Sequence, residues 1–320
     1  MPELFLTTRG TSFWVDQFVN GLTTGSLYAL IALGYTMVYG VLQMINFAHG
    51  EVFMLGSFAG YGVLVAMGGE DLSGPMVIVA ILIALVAAMA ASSATSIVLE
   101  RVAYRPLRTA PRLAPLISAI GASIFLQYLV VDRTHGEGKL YPSIFPTGSI
   151  GVGDFKMQYI QAFLIGSSLV MMALLFFVIQ YTRTGRAVRA VAENQQNAAL
   201  MGVDVNRTIV IVFVLGAAMA GVAGVLQGLF VISIRGTMGF LPGIKAFTAA
   251  VLGGIGSIPG AVAGGFFLGL AETLGRELLN EIPGVNLQFQ WKDVIAFSLL
   301  VLVLILRPTG IFGEKVARRA

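Results

Sequence analysis

The stretch TIVIVFVLGAAMAGVAGVLQGLFVISI, residues 208–234, decides the fold class because it contains no charged residue. An α-helix needs roughly 20 apolar residues to cross the ~30 Å hydrocarbon core of a bilayer, and this run exceeds that length. Uncharged runs of similar character recur along the chain, at 17–48, 72–99, 113–131, 157–182 and 246–271. The sequence therefore predicts several helices that cross a membrane.

The composition points to the same class. Hydrophobic residues make up 57% of the chain and charged residues 11%, with a mean hydropathy of +0.85. A soluble domain carries about 25% charged residues. We predict an all-α polytopic membrane protein, with one transmembrane domain over residues 1–320. About nine spans (eight to ten) are expected, at 15–42, 47–67, 75–98, 113–131, 158–181, 208–232, 244–257, 258–275 and 290–306. Glycine, proline and polar residues interrupt the first two spans and those over 244–275, so we expect some broken helices.

The charged loops predict the orientation of the chain. Arginine is concentrated in loop 100–112, in loop 182–207 and in the tail after 306, whereas loop 68–74 is acidic and loop 132–156 is balanced. Cytoplasmic loops carry the excess of Lys and Arg, so the two basic loops and the C-terminus are predicted to be cytoplasmic. Nine spans then place the N-terminus outside.

One face of the 208–232 span carries a ladder of small residues, which are Gly216, Ala220, Gly224 and Gly228. Small residues let helix backbones approach closely in a membrane, so this ladder predicts tight helix packing. A sliding surface would need the same residues, and the sequence does not separate the two. Gly-Val-Leu-Gln at 40–43 recurs at 224–227, which suggests an internal repeat.

A polar segment, residues 46–51, lies between two apolar runs and contains Asn46, His49 and Glu51. Polar side chains at membrane depth are costly unless they face protein or water, so one interpretation is a helix break that lines a pathway. The other is an interfacial loop in which Asn46 caps the next helix and Glu51 stabilises its positive end. One histidine with one glutamate is too little for a metal site. A second set of pathway candidates comes from a glycine-interrupted segment: Gly253, Gly254, Gly256 and Ser257.

Four further ionisable residues near the spans are interpreted as isolated groups, namely Lys245, Glu272, Lys292 and Asp293. Lys292 and Asp293 are expected at the outer interface, where a long lysine side chain can reach the headgroups. The sequence has no phosphate-binding G-x-x-x-x-G-K-[ST] loop and no convincing nucleophile–base arrangement. We predict that the chain is not an enzyme.

Loop 182–207 is more organised than a loop that only sets topology. Gly185 permits a turn, residues 187–200 are predicted to form a helix, and Gly202 suits the position after its end. A short helix in a basic loop would suit docking to a soluble partner, although a plain solvated loop is the alternative. The residues expected on this surface are Gly185, Arg186, Arg189, Glu193, Asn194, Ala198 and Gly202.

Six blocks of sequence carry a resemblance to a known family. They are GSLYALIALGYTMVYG at 25–40, INFAHGE at 45–51, ERVAYRPLR at 100–108, LISAIG at 116–121, KAFTAAVLGGIGSIPGA at 245–261 and RPTGIFG at 307–313. In these blocks and their order, the chain resembles the branched-chain amino-acid (Leu/Ile/Val) permease family of bacterial ABC importers. It is most similar to the shorter of that family's two permease subunits.

The resemblance implies a multi-pass permease of the bacterial inner membrane that moves branched-chain or other small neutral amino acids by alternating access. Its partners would be a second homologous permease subunit, two cytoplasmic ATPase subunits and an extracytoplasmic substrate-binding protein, with no nucleic acid. The segment 185–202 would face the ATPase. No cofactor is expected in this chain, since ATP and Mg²⁺ would bind in the partner subunits. A urea or short-chain amide importer is one alternative, and an ion-coupled secondary transporter or channel is another.

Overall fold

The computed structural model describes residues 10–108, 110–111, 113–152, 155–282, 285–307 and 310–311. Position 112 of the first basic loop and the basic tail beyond residue 311 lie outside the described residues. Eleven α-helices are present in the described part of the chain: α1 (Thr11–Leu42), α2 (His49–Ala66), α3 (Pro75–Leu99), α4 (Leu113–Arg133), α5 (Tyr159–Tyr181), α6 (Arg183–Glu193), α7 (Gln195–Leu200), α8 (Val205–Val231), α9 (Phe240–Gly253), α10 (Ile258–Asn280) and α11 (Trp291–Leu306).

Each of the nine expected spans coincides with one of these helices, and α6 and α7 occupy the second basic loop. Six helices, α1, α3, α4, α5, α8 and α10, are long and apolar enough to cross a membrane. The all-α polytopic class is therefore confirmed. The other three are shorter, and α9 with 14 residues extends about 21 Å, less than the ~30 Å hydrocarbon thickness.

Short β-strands occur only in two small antiparallel pairs within the described residues. Strand β1 (Lys139–Leu140) pairs with β4 (Ser233–Ile234), with Lys139 opposite Ile234. Strand β2 (Ser149–Val152) pairs with β3 (Phe155–Gln158). The first pair ties the loop after α4 to the loop after α8.

Local signals explain where several helices begin. Gln158 and Gln161 form a reciprocal capping box at the start of α5. The side chain of Asp204 accepts a hydrogen bond from the backbone N–H of Arg207 at 3.0 Å and starts α8, and α3 begins with Pro75. These residues satisfy or remove backbone donors that a helix start leaves without partners.

Helix α1 lies at the centre of the bundle and is buried along most of its length. It packs against α10 through glycines on both helices, because a Cβ on Gly265 would come within 2.5 Å of the Ala29 backbone. A Cβ on Gly25 would likewise come 2.8 Å from Phe266 Cα. The two backbones can approach this closely only because these positions carry no side chain.

Helix α8 is the second central element, and its ladder of small residues packs against several neighbours. Gly216 faces Gly34 of α1, Gly224 faces the backbone of Phe53 in α2, and Gly228 lies under the ring of Tyr141. Ala220 is fully buried. The ladder therefore lies against two helices and one loop.

The basic loops share one end of the bundle, here called the basic end. Arg108 Nη1 donates a hydrogen bond to Asn206 Oδ1 at 2.7 Å, which joins the first basic loop to the start of α8. Gln195 donates to the carbonyl oxygen of Val41 at 2.9 Å, and Ile311 N–H donates to Leu252 O at 2.9 Å. Burial lowers the pKa of the Arg108 guanidinium, although the neighbouring Glu100 opposes that shift.

We expect Gly224→Ala to destabilise the protein by about 1–3 kcal/mol, because the added Cβ would overlap the Phe53 carbonyl oxygen. Gly166→Ala is the matched control, since Gly166 is exposed in α5 with open space around it. The control should be neutral or stabilising by up to about 1 kcal/mol through helix propensity. Thermal unfolding in detergent measures both, and equal melting temperatures for the two variants would contradict the packing assignment.

Candidate functional site

The polar segment enters the bundle instead of lying at its surface. Gln43 ends α1 in a left-handed conformation (φ 52°), and α2 begins at His49. The His49 ring lies against Tyr35 with ring centroids 4.8 Å apart, and a Cβ on Gly34 would overlap His49. Because Gly34 lies eight residues before Leu42, the start of α2 sits about 12 Å inside the end of α1.

The three polar side chains of this segment are all buried, with Asn46 2% exposed and His49 and Glu51 each 1% exposed. Tyr104 OH donates to Asn46 Oδ1 at 2.6 Å, and Ser123 Oγ donates to Glu51 Oε1 at 3.3 Å. Asn46 Nδ2, His49 Nε2 and Glu51 Oε2 have no hydrogen-bond partner among the described residues. Buried polar atoms without a hydrogen-bond partner are costly.

The expectation that Asn46 caps the following helix is wrong. The N-cap residue of α2 is Ala48, which makes no side-chain cap, while the Asn46 side chain bonds Tyr104 on the segment after α3. This contact could not be predicted from the sequence, because Tyr104 lies far from Asn46 along the chain. Glu51 does lie in the first turn of α2, near its positive end.

The start of α9 meets the start of α2. A Cβ on Gly243 would come 3.0 Å from Gly50 Cα, and a Cβ on Gly239 would overlap the Gly50 carbonyl. Such an approach of two backbones requires glycine on both sides. The sequence had instead singled out the glycine-interrupted segment that begins at Gly253 as the second set of pathway candidates.

The other four pathway candidates form a tight turn between α9 and α10 at the basic end. Gly253 packs against Gly260, and Ser257 Oγ accepts a hydrogen bond from Gly260 N–H at 3.1 Å, which caps α10. Gly254 adopts φ 103° and lies against Gly310, and Gly256 approaches Gly40. These contacts account for the small residues by packing, and their part in a pathway stays a prediction.

A cavity of about 290 Å³ lies between α1, α2, α4 and α9, beside the polar segment. Its polar side chains are Tyr35, Ser123 and Gln127. Its apolar side chains are Phe47, Ile120, Ile124, Phe240 and Ile244. The remaining wall consists of Gly50, Gly239 and Gly243. Tyr35, Phe47 and the α4 residues carried no signal in the sequence, because only the fold brings them together.

The face of α9 that points away from the cavity carries Lys245. This lysine forms a charged cluster with Tyr28, Glu272 and Asp293. Lys245 Nζ lies 3.1 Å from Glu272 Oε2 and 2.6 Å from Asp293 Oδ1. Tyr28 OH donates to the same Glu272 oxygen at 3.1 Å. The interpretation of these residues as isolated groups is therefore wrong for Lys245, Glu272 and Asp293. They lie on three different helices, so spacing in the sequence could not show the pairing.

The predicted helix over residues 187–200 is in fact two helices. The Thr182 side chain caps α6 by accepting from Gly185 N–H at 3.1 Å. Asn194 adopts an extended backbone (φ −159°, ψ 112°), and its side chain caps α7 by accepting from Asn197 N–H at 2.9 Å. An asparagine in helix-forming surroundings thus ends one helix and begins another. Gly202 has φ 83°, as expected for a residue after a helix end.

The candidate docking residues divide between buried and exposed positions. Gly185 and Ala198 are buried, and the Arg189 guanidinium donates to the carbonyl groups of Ile179 and Gln180 at the end of α5. Arg186, Glu193 and Asn194 are exposed. The sequence missed Leu200 and Met201, which are 85% and 84% exposed at the tip of this loop.

Comparison with known proteins gives strong matches over nearly the whole chain. The family model described as branched-chain amino acid transport system / permease component matches residues 17–304. The chain is 48% identical over 321 residues to the high-affinity branched-chain amino acid transport system permease protein BraD of Pseudomonas aeruginosa, covering 98% of each chain. It is 47% identical over 320 residues to the corresponding protein LivH of Escherichia coli strain K12, again covering 98% of each. A probable LivH of Methanocaldococcus jannaschii is 29% identical over 319 residues, covering 98% of this chain and 96% of that one.

We expect Lys245→Met to destabilise the protein by about 3–5 kcal/mol, because it leaves Glu272 buried without a counter-charge. The double variant Lys245→Met/Glu272→Gln should recover most of that loss. Lys292→Met is the control, since Lys292 forms no salt bridge among the described residues and its ammonium lies 4.5 Å above the Phe289 ring, a contact of about 0.5–1 kcal/mol. Thermal unfolding in detergent measures the three variants. A Lys245→Met protein no less stable than the control would refute the buried ion pair.

Proposed function

The chain belongs to the branched-chain amino acid transport system permease family, and we propose that it works as the shorter permease subunit of an ATP-driven amino-acid importer. The observation that carries this proposal is the 47–48% identity to high-affinity branched-chain amino acid permeases over 98% of both chains. The partners would be a second homologous permease, two cytoplasmic ATPase subunits and an extracytoplasmic binding protein. ATP and Mg²⁺ would bind in the ATPase subunits.

The basic end would face the cytoplasm of a bacterium. It gathers the arginine-rich loops, as expected for cytoplasmic segments, and the C-terminal segment lies against it. The opposite end holds the acidic loop 68–74 and both strand pairs. This orientation would present the α6–α7 segment to the ATPases and the strand-bearing end to the binding protein.

The α6–α7 segment has the features of a docking surface. Val188 and Val191 are buried against the bundle, whereas Arg186 and Glu193 point outward. Leu200 and Met201 are the two most exposed large apolar side chains in the described part of the chain. Since these side chains lie on the cytoplasmic side and away from lipid in this proposal, a protein partner explains their exposure best.

One structural feature on which ion-coupled transport would rest is the charged cluster inside the bundle. A sodium or proton site needs carboxylates that are free to bind the cation. Here Lys245 is an internal counter-ion to both Glu272 and Asp293. The cluster is therefore better explained as a tie between α9, α10 and α11.

We expect the complete complex in proteoliposomes to import leucine only with ATP and loaded binding protein, and vanadate should abolish uptake. Urea and acetamide at equal concentration should not be imported. Labelled-substrate uptake measures all three solutes. Leucine uptake driven by an ion gradient without ATP would contradict the importer assignment, and urea uptake would replace the substrate class.

We expect Leu200→Ala/Met201→Ala and Arg186→Ala/Glu193→Ala each to reduce ATPase co-purification by about tenfold, because interfaces depend on a few anchoring side chains. Membrane insertion should be unchanged, since the four side chains are exposed. Ile117→Ala, which removes an exposed apolar side chain on α4, is the control. Undiminished co-purification with both double variants would show that the ATPase docks elsewhere.

A further inference from the structure

We propose that the cavity between α1, α2, α4 and α9 is this chain's half of the binding site for a zwitterionic amino acid with an aliphatic side chain. The proposal rests on the importer function above and adds a location and a chemistry to it. The second permease would close the open edge of the site.

The cavity has the size and lining that such a ligand needs. Its volume of about 290 Å³ lies at the small end of the roughly 300–1,000 Å³ typical of ligand pockets. Ile120 and Ile124 of α4 and Phe240 of α9 form an apolar wall that suits a branched aliphatic side chain. Each is also about half exposed in the isolated chain, so the cavity opens between α4 and α9.

The polar groups lie next to the apolar wall. Ser123 and Gln127 project from α4, and Ser123 Oγ bonds Glu51, whose second carboxylate oxygen has no partner among the described residues. That oxygen lies 2.8 Å from the position a Cβ would take on Gly239, a residue of the cavity wall. Glu51 is therefore a positioning residue behind Ser123: it accepts the hydrogen bond of the Ser123 hydroxyl, whose oxygen is then oriented to accept one from an ammonium group.

The starts of α2 and α9 also meet at the cavity. Gly50 in the first turn of α2 and Gly239 just before α9 both line the cavity, and neither has a side chain to shield its backbone. The Glu51 carboxylate already lies at these two helix starts, so a ligand's carboxylate would accept hydrogen bonds from the Tyr35 hydroxyl and the Gln127 amide of the lining. The cavity thus offers polar groups for the charged ends of an amino acid and an apolar surface for its side chain.

Aromatic rings close the cavity toward the basic end. The ring of Phe247 lies 5.9 Å from that of Tyr35 and 6.1 Å from that of Phe47. Beneath them is a hollow of about 10 Å³ next to Ile45 and Ile255, with room for no more than about one water molecule. A ligand in the cavity is therefore separated from the basic end, and these rings must move for release in that direction.

The first test fills the cavity in the complete complex. Ile120→Trp should lower ATP-driven leucine uptake by about tenfold or more, because the indole occupies the ligand's space. ATP hydrolysis stimulated by loaded binding protein should persist, since the docking surface is untouched. Leu129→Trp, on the opposite face of α4 and 40% exposed, is the matched control and should import leucine normally.

The second test uses the absence of cysteine from this chain. In the complex, the thiol of the Ser123→Cys variant should react with a small methanethiosulfonate reagent. Addition of leucine-loaded binding protein and an ATP analogue should slow this labelling about fivefold, because leucine then occupies the cavity. Leu129→Cys should label at a rate that leucine does not change. Labelling is read on this chain by mass.

The outcomes separate the two proposals. Normal import by the Ile120→Trp complex, or Ser123→Cys labelling that leucine does not slow, would overturn the cavity assignment and leave the importer function standing. A wild-type complex that fails to import leucine would overturn the function itself. Slower labelling caused by added phospholipid instead of leucine would assign the cavity to an acyl chain.

Discussion

Direct contact between helix backbones is the constraint on which the structure depends. In a bilayer, apolar side chains gain little by leaving lipid for protein, so close packing must hold the helices together. Glycines of α10 lie on the backbone of α1, and glycines of α8 lie on the backbones of α1 and α2. These contacts fix α1 and α8 at the centre, while α3, α4 and α5 remain largely exposed. The position of every functional group follows from that arrangement.

The sequence was informative where one local property decides the outcome. The distribution of apolar and charged residues located all nine expected spans, and Gly202 took the left-handed conformation expected of it. Sequence reasoning failed where distant residues meet. Tyr104 bonds Asn46, and Lys245 pairs with Glu272 and Asp293, through contacts that no periodicity records. The residues around Asn194 favour one continuous helix, but the Asn194 side chain caps α7 and the helix is interrupted there.

Helix α9 connects the two polar regions of the bundle. One face lines the cavity through Gly239, Phe240 and Gly243, and the other holds Lys245 in the charged cluster. Most of its residues are buried between neighbouring helices, and the two ion pairs of Lys245 further fix its rotation and its depth. The cluster therefore keeps one wall of the cavity in place without taking part in it.

Several hydrogen bonds hold the junction of α5 and α6 rigid. Thr182 caps α6 while its hydroxyl donates to Val178 O, and Arg189 on α6 reaches back to the last carbonyl groups of α5. Bending at this joint would break all of these bonds together, so α6 cannot shift without carrying the end of α5. Since α5 has 23 residues and is bonded to α1 at its far end through Gln161 and Asn20, it would act in the proposed importer as a lever about 35 Å long between the two membrane surfaces.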